Sequence, residues 1–319
     1  MKSVAFWVTL VCSAASQASG DGNQYWGDGP MQLRSQSPVK SLVLTPIFRP
    51  ADYQHQTTQL YTSVYGASIY AIDDEYTLDY YTVEYRIGGS WRPSPNWLIG
   101  VSFANRTTDD AHLDQISLSF HKLFGIDQNG RDKIPKHRSY VSIPKAGIEE
   151  EDFSDRSIGH QYELSIGRQL YHHHRHWLST TLVAAYQDDE NPRQGEPWDF
   201  SWQLDYQYAW RQKALYLMLG YSYSGADDLF TLGIEPRLWH WGIGYRHRFA
   251  DRHQWLLEYS ITEGGLEQLD EFTNAVNEIN LGYRYLGRQW TFEGVIMENI
   301  KYPDNSADFA LVATIKYRF

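Results

Sequence analysis

From residue 198 to residue 210 every even position is aromatic or apolar: Trp198, Phe200, Trp202, Leu204, Tyr206, Tyr208 and Trp210. Between them stand Asp199, Ser201, Gln203, Asp205 and Gln207. Strand side chains point alternately to two faces, so this segment has one apolar face and one polar, acidic face. The alternation returns in 214–224, 237–249, 254–262, 277–286, 290–298 and 308–319. The chain therefore reads as a succession of two-sided strands, all-β and antiparallel.

Something must cover the apolar faces. In a sandwich it would be a second sheet, but here the opposite face is charged in strand after strand. The 24 Tyr, 13 Phe and 12 Trp gather near strand ends, and amphipathic rings suit the two interfaces of a bilayer. Beyond residue 18 no apolar run reaches the ~18 residues of a helical span. The other structure that satisfies every backbone group in lipid is a closed barrel. Short connections at 73–75, 172–176, 211–213, 250–253 and 287–289 alternate with longer ones at 88–95, 188–197, 225–236, 263–275 and 299–307. That is the pattern of periplasmic turns and outer loops in an up-and-down transmembrane barrel. Pro93, Pro95, Pro192, Pro197, Pro236 and Pro303 fall in the longer set, where no ladder donor is lost.

Further strands are expected at 39–48, 59–72, 76–87, 96–105, 160–171 and 177–187, with one inside 113–145. The total is 14, with 12 as the alternative. Pro38 and Pro46 interrupt the first of these. Between 111 and 124, Ile116, Leu118 and Phe120 alternate, while Leu113, Ile116, Phe120, Leu123 and Phe124 share a helical face. A short helix or inward-folded segment is therefore expected around 106–158, as a loop or plug within a barrel of 39–319.

Residues 1–18 have the form of a secretory signal: Lys2, an apolar stretch from Val4 to Ala15, and small residues at Ser16 and Ala18. Residues 19–38 then form an N-terminal periplasmic segment. Cleavage would remove Cys12, the only cysteine, and Lys2, taking the formal charge from −11 to −12. Acidity of this size argues against nucleic acid as a partner. The expected partners are membrane lipid, lipopolysaccharide and the outer-membrane assembly machinery, and the expected state is a monomer in the outer membrane of a Gram-negative cell.

The last strand resembles the aromatic-ended signal read by that machinery, through Phe309, Leu311, Ile315, Tyr317 and Phe319. Three further segments carry a narrower likeness: 33–38 (LRSQSP), 120–125 (FHKLFG) and 128–135 (QNGRDKIP). Through them the chain resembles an uncharacterised proteobacterial outer-membrane barrel family, domain of unknown function 3187. The resemblance implies location and brings no activity.

The sequence assigns no catalytic, cofactor-binding or metal residues. His172, His173, His174 and His176 fall in a proposed turn without a partnering Cys or carboxylate, and read as a solvated turn. Asp127, Asn129 and Asp132 suggest a calcium loop, but Gly130 comes too early and Arg138 holds the twelfth position. The acidic run Glu149, Glu150, Glu151, Asp152 and Asp155 reads as an outer loop. His137-Arg138-Ser139 is the one His-x-Ser, without the Asn-Gly that follows it in outer-membrane phospholipases.

The inward face is more informative. Asp205, Arg246, Glu258, Glu278, Arg284, Glu293, Lys316 and Arg318 are expected to point into the lumen, where charges must pair or meet water. Setting Phe249 opposite Trp255 places Arg246 opposite Glu258. Setting Tyr285 opposite Phe292 places Arg284 opposite Glu293. Trp177, Trp210, Phe249, Trp255, Tyr285, Trp290 and Phe319 are expected to form a belt beside the short turns. The functional reading is a narrow or gated pathway for a small polar solute. The alternatives are a structural or interaction protein of the outer membrane and a lipid-modifying enzyme.

Overall fold

Twelve strands close on themselves in the computed structural model, which describes residues 29–109, 138–188 and 193–319 together with Ser119 and Lys122. In chain order the strands are β1 (Gln59–Ile72), β2 (Thr77–Ser94), β3 (Trp97–Thr108), β4 (Tyr140–Ile143), β5 (Ile148–Glu150), β6 (Arg156–His173), β7 (His176–Gln187) and β8 (Arg193–Trp210). They continue as β9 (Lys213–Leu229), β10 (Leu232–Gly233), β11 (Arg237–Ala250), β12 (His253–Thr262), β13 (Val276–Leu286), β14 (Trp290–Lys301) and β15 (Phe309–Arg318). Every pairing is antiparallel, and β1 pairs with both β2 and β15, so no barrel edge remains. The short strands β4, β5 and β10 lie outside the ring.

The expectation of 14 strands gives way to its alternative of 12. Residues 39–48 form no strand; they carry a 3-10 turn at Lys40–Leu42 and lie buried. Within 113–145 the described strand is β4, which pairs with the start of β2 outside the ring. Residues 88–94 are not a loop. β2 runs through Gly88 and Gly89 to Ser94 and turns in two residues, with Pro93 at a register shift between Trp91 and Ser94. Pro197 likewise sits at a shift, between Gly195 and Asp199 in β8. Both prolines are tolerated because a bulge leaves a residue unpaired. The connection at 73–76 consequently joins the long-loop end. The signal segment, the motif at 120–125 apart from Lys122, the motif at 128–135, and Asp127, Asn129, Asp132 and His137 fall outside the described residues.

The outer surface is an apolar band between aromatic girdles. At the short-turn end Phe249 stacks on Trp255 with centroids 5.9 Å apart, and Trp290 meets Tyr317 at 4.7 Å. At the long-loop end Tyr186 meets Trp198 at 5.2 Å and Tyr221 meets Trp239 at 5.1 Å. Along β8, Trp198 and Trp210 are separated by about 40 Å of strand, or about 30 Å once tilted, which suits a bilayer core. Trp202 faces the band and donates its indole N–H to Thr180 Oγ1 at 2.8 Å, so this donor is not left bare in lipid.

Trp177 departs from the expected belt. It is buried and belongs to an inner cluster with Phe48, Ala51, Ala209, Ala214, Tyr216 and Met218. A register shift between Gln169 and Tyr171 precedes it on the partner strand, and its own strand alternates with Ser179, Thr181 and Val183 inward.

Candidate functional site in the barrel lumen

The lumen is occupied by the chain's own N-terminal segment, residues 29–58. It rises along β12–β14, turns at Lys40–Leu42 beneath the long loops, and descends along β8, β7 and β6 to enter β1. On the ascent, Arg284 Nη1 donates to Gly29 O at 2.9 Å and Met31 N donates to Glu258 Oε1 at 2.7 Å. Ser35 Oγ donates to Glu278 Oε1 at 2.9 Å. On the descent, Leu44 N donates to Asp199 Oδ2 at 2.8 Å, Arg49 N to Asp205 Oδ1 at 3.1 Å and Tyr53 N to Gln169 Oε1 at 2.8 Å. Gln203 Nε2 donates to Ile47 O at 2.8 Å.

The physical reason is backbone accounting. Pro30, Pro38, Pro46 and Pro50 keep this stretch out of a ladder. Its buried N–H and C=O groups must still be paired, and wall side chains do this in place of a neighbouring strand. The wall also makes room: Phe48 lies against Gly242, and Pro46 Cγ is 2.6 Å from where a Cβ on Gly220 would stand. A larger residue at either position would push the segment away.

Two glutamates and four arginines join the segment to the wall. Glu163 accepts from Arg49 Nη2 at 2.8 Å and also pairs with Arg34, both on the segment. Arg86 Nε lies 3.0 Å from Glu84 Oε1, and Arg106 pairs with the same carboxylate while donating to Ser41 O. Wall charges alone balance as Glu84, Glu163, Arg86 and Arg106; the segment adds two cations. All six side chains are largely buried. Such pairs are costly to desolvate and costlier to break one-sidedly.

The expected lumen residues divide. Arg284 and Glu293 are directly opposite, with Nε to Oε1 at 2.6 Å, and Lys316 Nζ reaches the same oxygen at 2.8 Å. Arg246 and Glu258 both face inward and are buried, but they are not opposite. Arg246 pairs with Leu256, Glu258 with Gly244, and His247 rather than Phe249 faces Trp255. The turn is tighter than expected, Asp251–Arg252 with Ala250 opposite His253, and the shift between Arg248 and Ala250 adds one residue more; together they move the register by two, which preserves the inward face. Phe309, Leu311, Ile315, Tyr317 and Phe319 share the outward face of β15; Phe309 is covered at the long-loop end, and Phe319 is exposed.

The segment 106–158 is expected as a loop or plug-like insertion that folds inward or caps the pore. Of its described parts, Arg106–Thr108 and Arg156–Ile158 belong to the ring strands β3 and β6, and 138–155 run beyond the ring, where β4 and β5 extend the start of β2. There Val141, Ile143 and Phe153 pack with Val39, Leu42, Tyr76, Leu232, Leu266 and Phe272 in an apolar cap over the segment's turn. Residues 29–38 lie in the lumen, in place of the periplasmic segment expected there. The signal that could have found this was a buried-looking run (Val39, Leu42, Leu44, Ile47, Phe48) punctuated by prolines and placed directly before a strand. Among the described residues, no group of three or more His, Cys, Asp or Glu is arranged to hold a metal. In the histidine turn, His172 stacks on Trp177 and His176 Nδ1 is 2.7 Å from Tyr206 OH.

Lys40 sits at the top of the segment, almost wholly buried, with no hydrogen-bond partner for Nζ among the described residues. Burial lowers its pKa from 10.5 to about 7, against the upward pull of Glu263 and Glu235. Between pH 7 and 10.5 the unfolded chain then binds the proton and the folded chain does not, so stability rises with pH through that window, by up to about 1.4 kcal/mol per unit. Urea unfolding in detergent should show this rise, and Lys40→Met should flatten it and stabilise the barrel at neutral pH. Equal slopes for parent and variant would show that the ammonium finds water.

A profile described as a protein of unknown function (DUF3187) matches residues 5–319. No curated protein matches the chain by sequence. Among solved structures, the COG4313 outer membrane channel from Pseudomonas putida F1 is similar with a TM-score of 0.55 and 12% identity, covering 85% of this chain and 99% of that one. The NanC porin is similar with a TM-score of 0.50 and 6% identity, covering 82% of this chain and 100% of that one. At these identities the likeness is one of fold: an outer-membrane β-barrel.

Proposed function

We propose, for a chain that belongs to the DUF3187 family, a gated outer-membrane channel for a small polar solute, with the N-terminal segment 29–58 as its gate. The observation that carries this is the chemistry behind the segment. The wall it covers is itself polar, with Ser63, Gln161, Ser179, Gln203, Gln207, Gln254 and Thr314 pointing inward. Where the segment meets mid-wall it does so largely through hydrogen bonds and ion pairs, which water can replace. A lumen meant only to be filled could be lined with apolar residues at less cost. The channel likeness of the structural neighbours is consistent with this reading.

The second reading, a structural or interaction protein, is favoured by the continuity of the segment with β1, which anchors it at one end. Planar-bilayer recording separates the two. The full chain should show a mostly closed state with discrete openings, and deletion of residues 29–54 should give a permanently open pore that passes small polar solutes into liposomes. A deleted barrel that folds and still does not conduct would leave the structural reading.

A further inference from the structure

Charge is segregated along the barrel axis. The long-loop end is acid-rich: it exposes Asp73, Asp74, Glu75, Glu149, Glu151, Asp152, Asp227, Glu235, Glu263 and Glu267 against the exposed cations Lys145, Arg156, Arg237 and Lys301 among the described residues. The short turns do the opposite. Arg175, Arg211, Arg252 and Arg288 occupy four successive turns, and each is exposed. None of the four makes an ion pair with a described residue. Asp251 is the only acidic residue in the five turns 95–96, 174–175, 211–212, 251–252 and 287–289. Its main-chain carbonyl is held by Arg248 Nε at 3.0 Å.

These cations lie at the level of the aromatic girdle. Arg211 follows Trp210, Arg252 lies between Phe249 and Trp255, and Arg288 precedes Trp290 by two residues. On the neighbouring wall, the exposed Arg168 lies over the Trp97 ring, 5.4 Å from its centroid. Aromatic girdles mark the head-group region. A guanidinium placed there meets phosphate, for which its fork of donors is well matched.

We propose that this rim binds the head groups of anionic glycerophospholipids in the leaflet at the short-turn end. Distribution argues for lipid over a protein partner. The arginines are spread around the ring from β6 to β14, whereas a docked protein would draw cations into one patch. Lipids surround a barrel on every side. The acid-rich opposite end repels the same head groups, so the preference is one-sided even in a symmetric bilayer. The inference is independent of whether the lumen conducts.

The test uses the full chain in nanodiscs of phosphatidylcholine with a minor share of phosphatidylglycerol. Lipid retained by the protein after brief detergent extraction is measured by mass spectrometry. Phosphatidylglycerol should be enriched severalfold over the bulk, each arginine contributing up to about fivefold in local attraction to an anionic surface. The enrichment should fall in high salt. It should also disappear in an Arg175→Gln, Arg211→Gln, Arg252→Gln, Arg288→Gln variant that keeps the gel mobility of a folded barrel. Single Arg211→Gln and Arg288→Gln variants, each expected to lose part of the enrichment, cover the case in which the quadruple variant fails to assemble. Retained lipid of bulk composition, or enrichment that survives high salt and the substitutions, would overturn the proposal.

Discussion

A Glu163→Gln barrel should spend far more time open than the parent. Glu163 is the one wall carboxylate that pairs with both arginines of the lumen segment, Arg34 and Arg49, while its side chain is 7% exposed. Glutamine keeps the shape and removes the charge, leaving two buried cations on the segment without their counterion. Breaking a buried pair from one side costs about 3–5 kcal/mol, and about 1.4 kcal/mol corresponds to a tenfold change in an equilibrium. If that cost is borne only by the seated state, the ratio of open to closed barrels rises by about two to three and a half orders of magnitude. The wall should hold, because Arg86 retains Glu84 at 3.0 Å and Gln161 at 3.1 Å. The readout is open probability in planar bilayers, with gel mobility as the folding control. An Arg34→Met, Arg49→Met variant removes the same pairs from the other side and should also open the pore. Folded barrels of both kinds that stay closed would show that the segment is a fixed part of the wall.

Loss of Phe319 should lower the amount of protein in the outer membrane severalfold while changing the folded barrel little. The ring is 45% exposed on the outward face and meets Tyr317 edge-on at 5.0 Å. Its backbone N–H donates to Thr58 O at 3.0 Å, at the seam where β15 meets β1. A half-exposed aromatic residue with one hydrogen bond contributes about 1–3 kcal/mol to a closed barrel. A large fall in cells, with normal refolding in detergent, would therefore report recognition of the terminal strand by the assembly machinery. Normal outer-membrane levels of the truncated chain would remove that role from Phe319.

Much of the barrel was legible because strand alternation is local. In 198–210 the two faces can be read from the residues alone, and lipid on one side with a polar lumen on the other makes any single-residue slip costly. The hairpin of β13 and β14 followed from the same logic, since Tyr285 and Phe292 fix the place of Arg284 and Glu293. The hairpin of β11 and β12 did not, because a tighter turn and a one-residue bulge together move the register by two without changing which face is polar. Alternation determines the face; turn geometry determines the partner. The fate of Trp177 is a case of the same kind, decided beside a register shift.

The lumen filling is the part that sequence could not deliver. The run from Val39 to Phe48 is apolar enough to be read as a strand, and its prolines only say that it is a poor one. What the segment 29–58 around it does instead depends on Glu258, Asp199, Asp205 and Glu163, which lie 114 or more residues from their partners Met31, Leu44 and Arg49 and become neighbours only when the barrel closes. The sequence by itself determined a two-faced, lipid-facing sheet, because each strand carries its own solvent preferences. Tertiary structure alone decided what fills that sheet, because the partners of a buried, proline-broken backbone are chosen by closure of the ring and not by any local pattern.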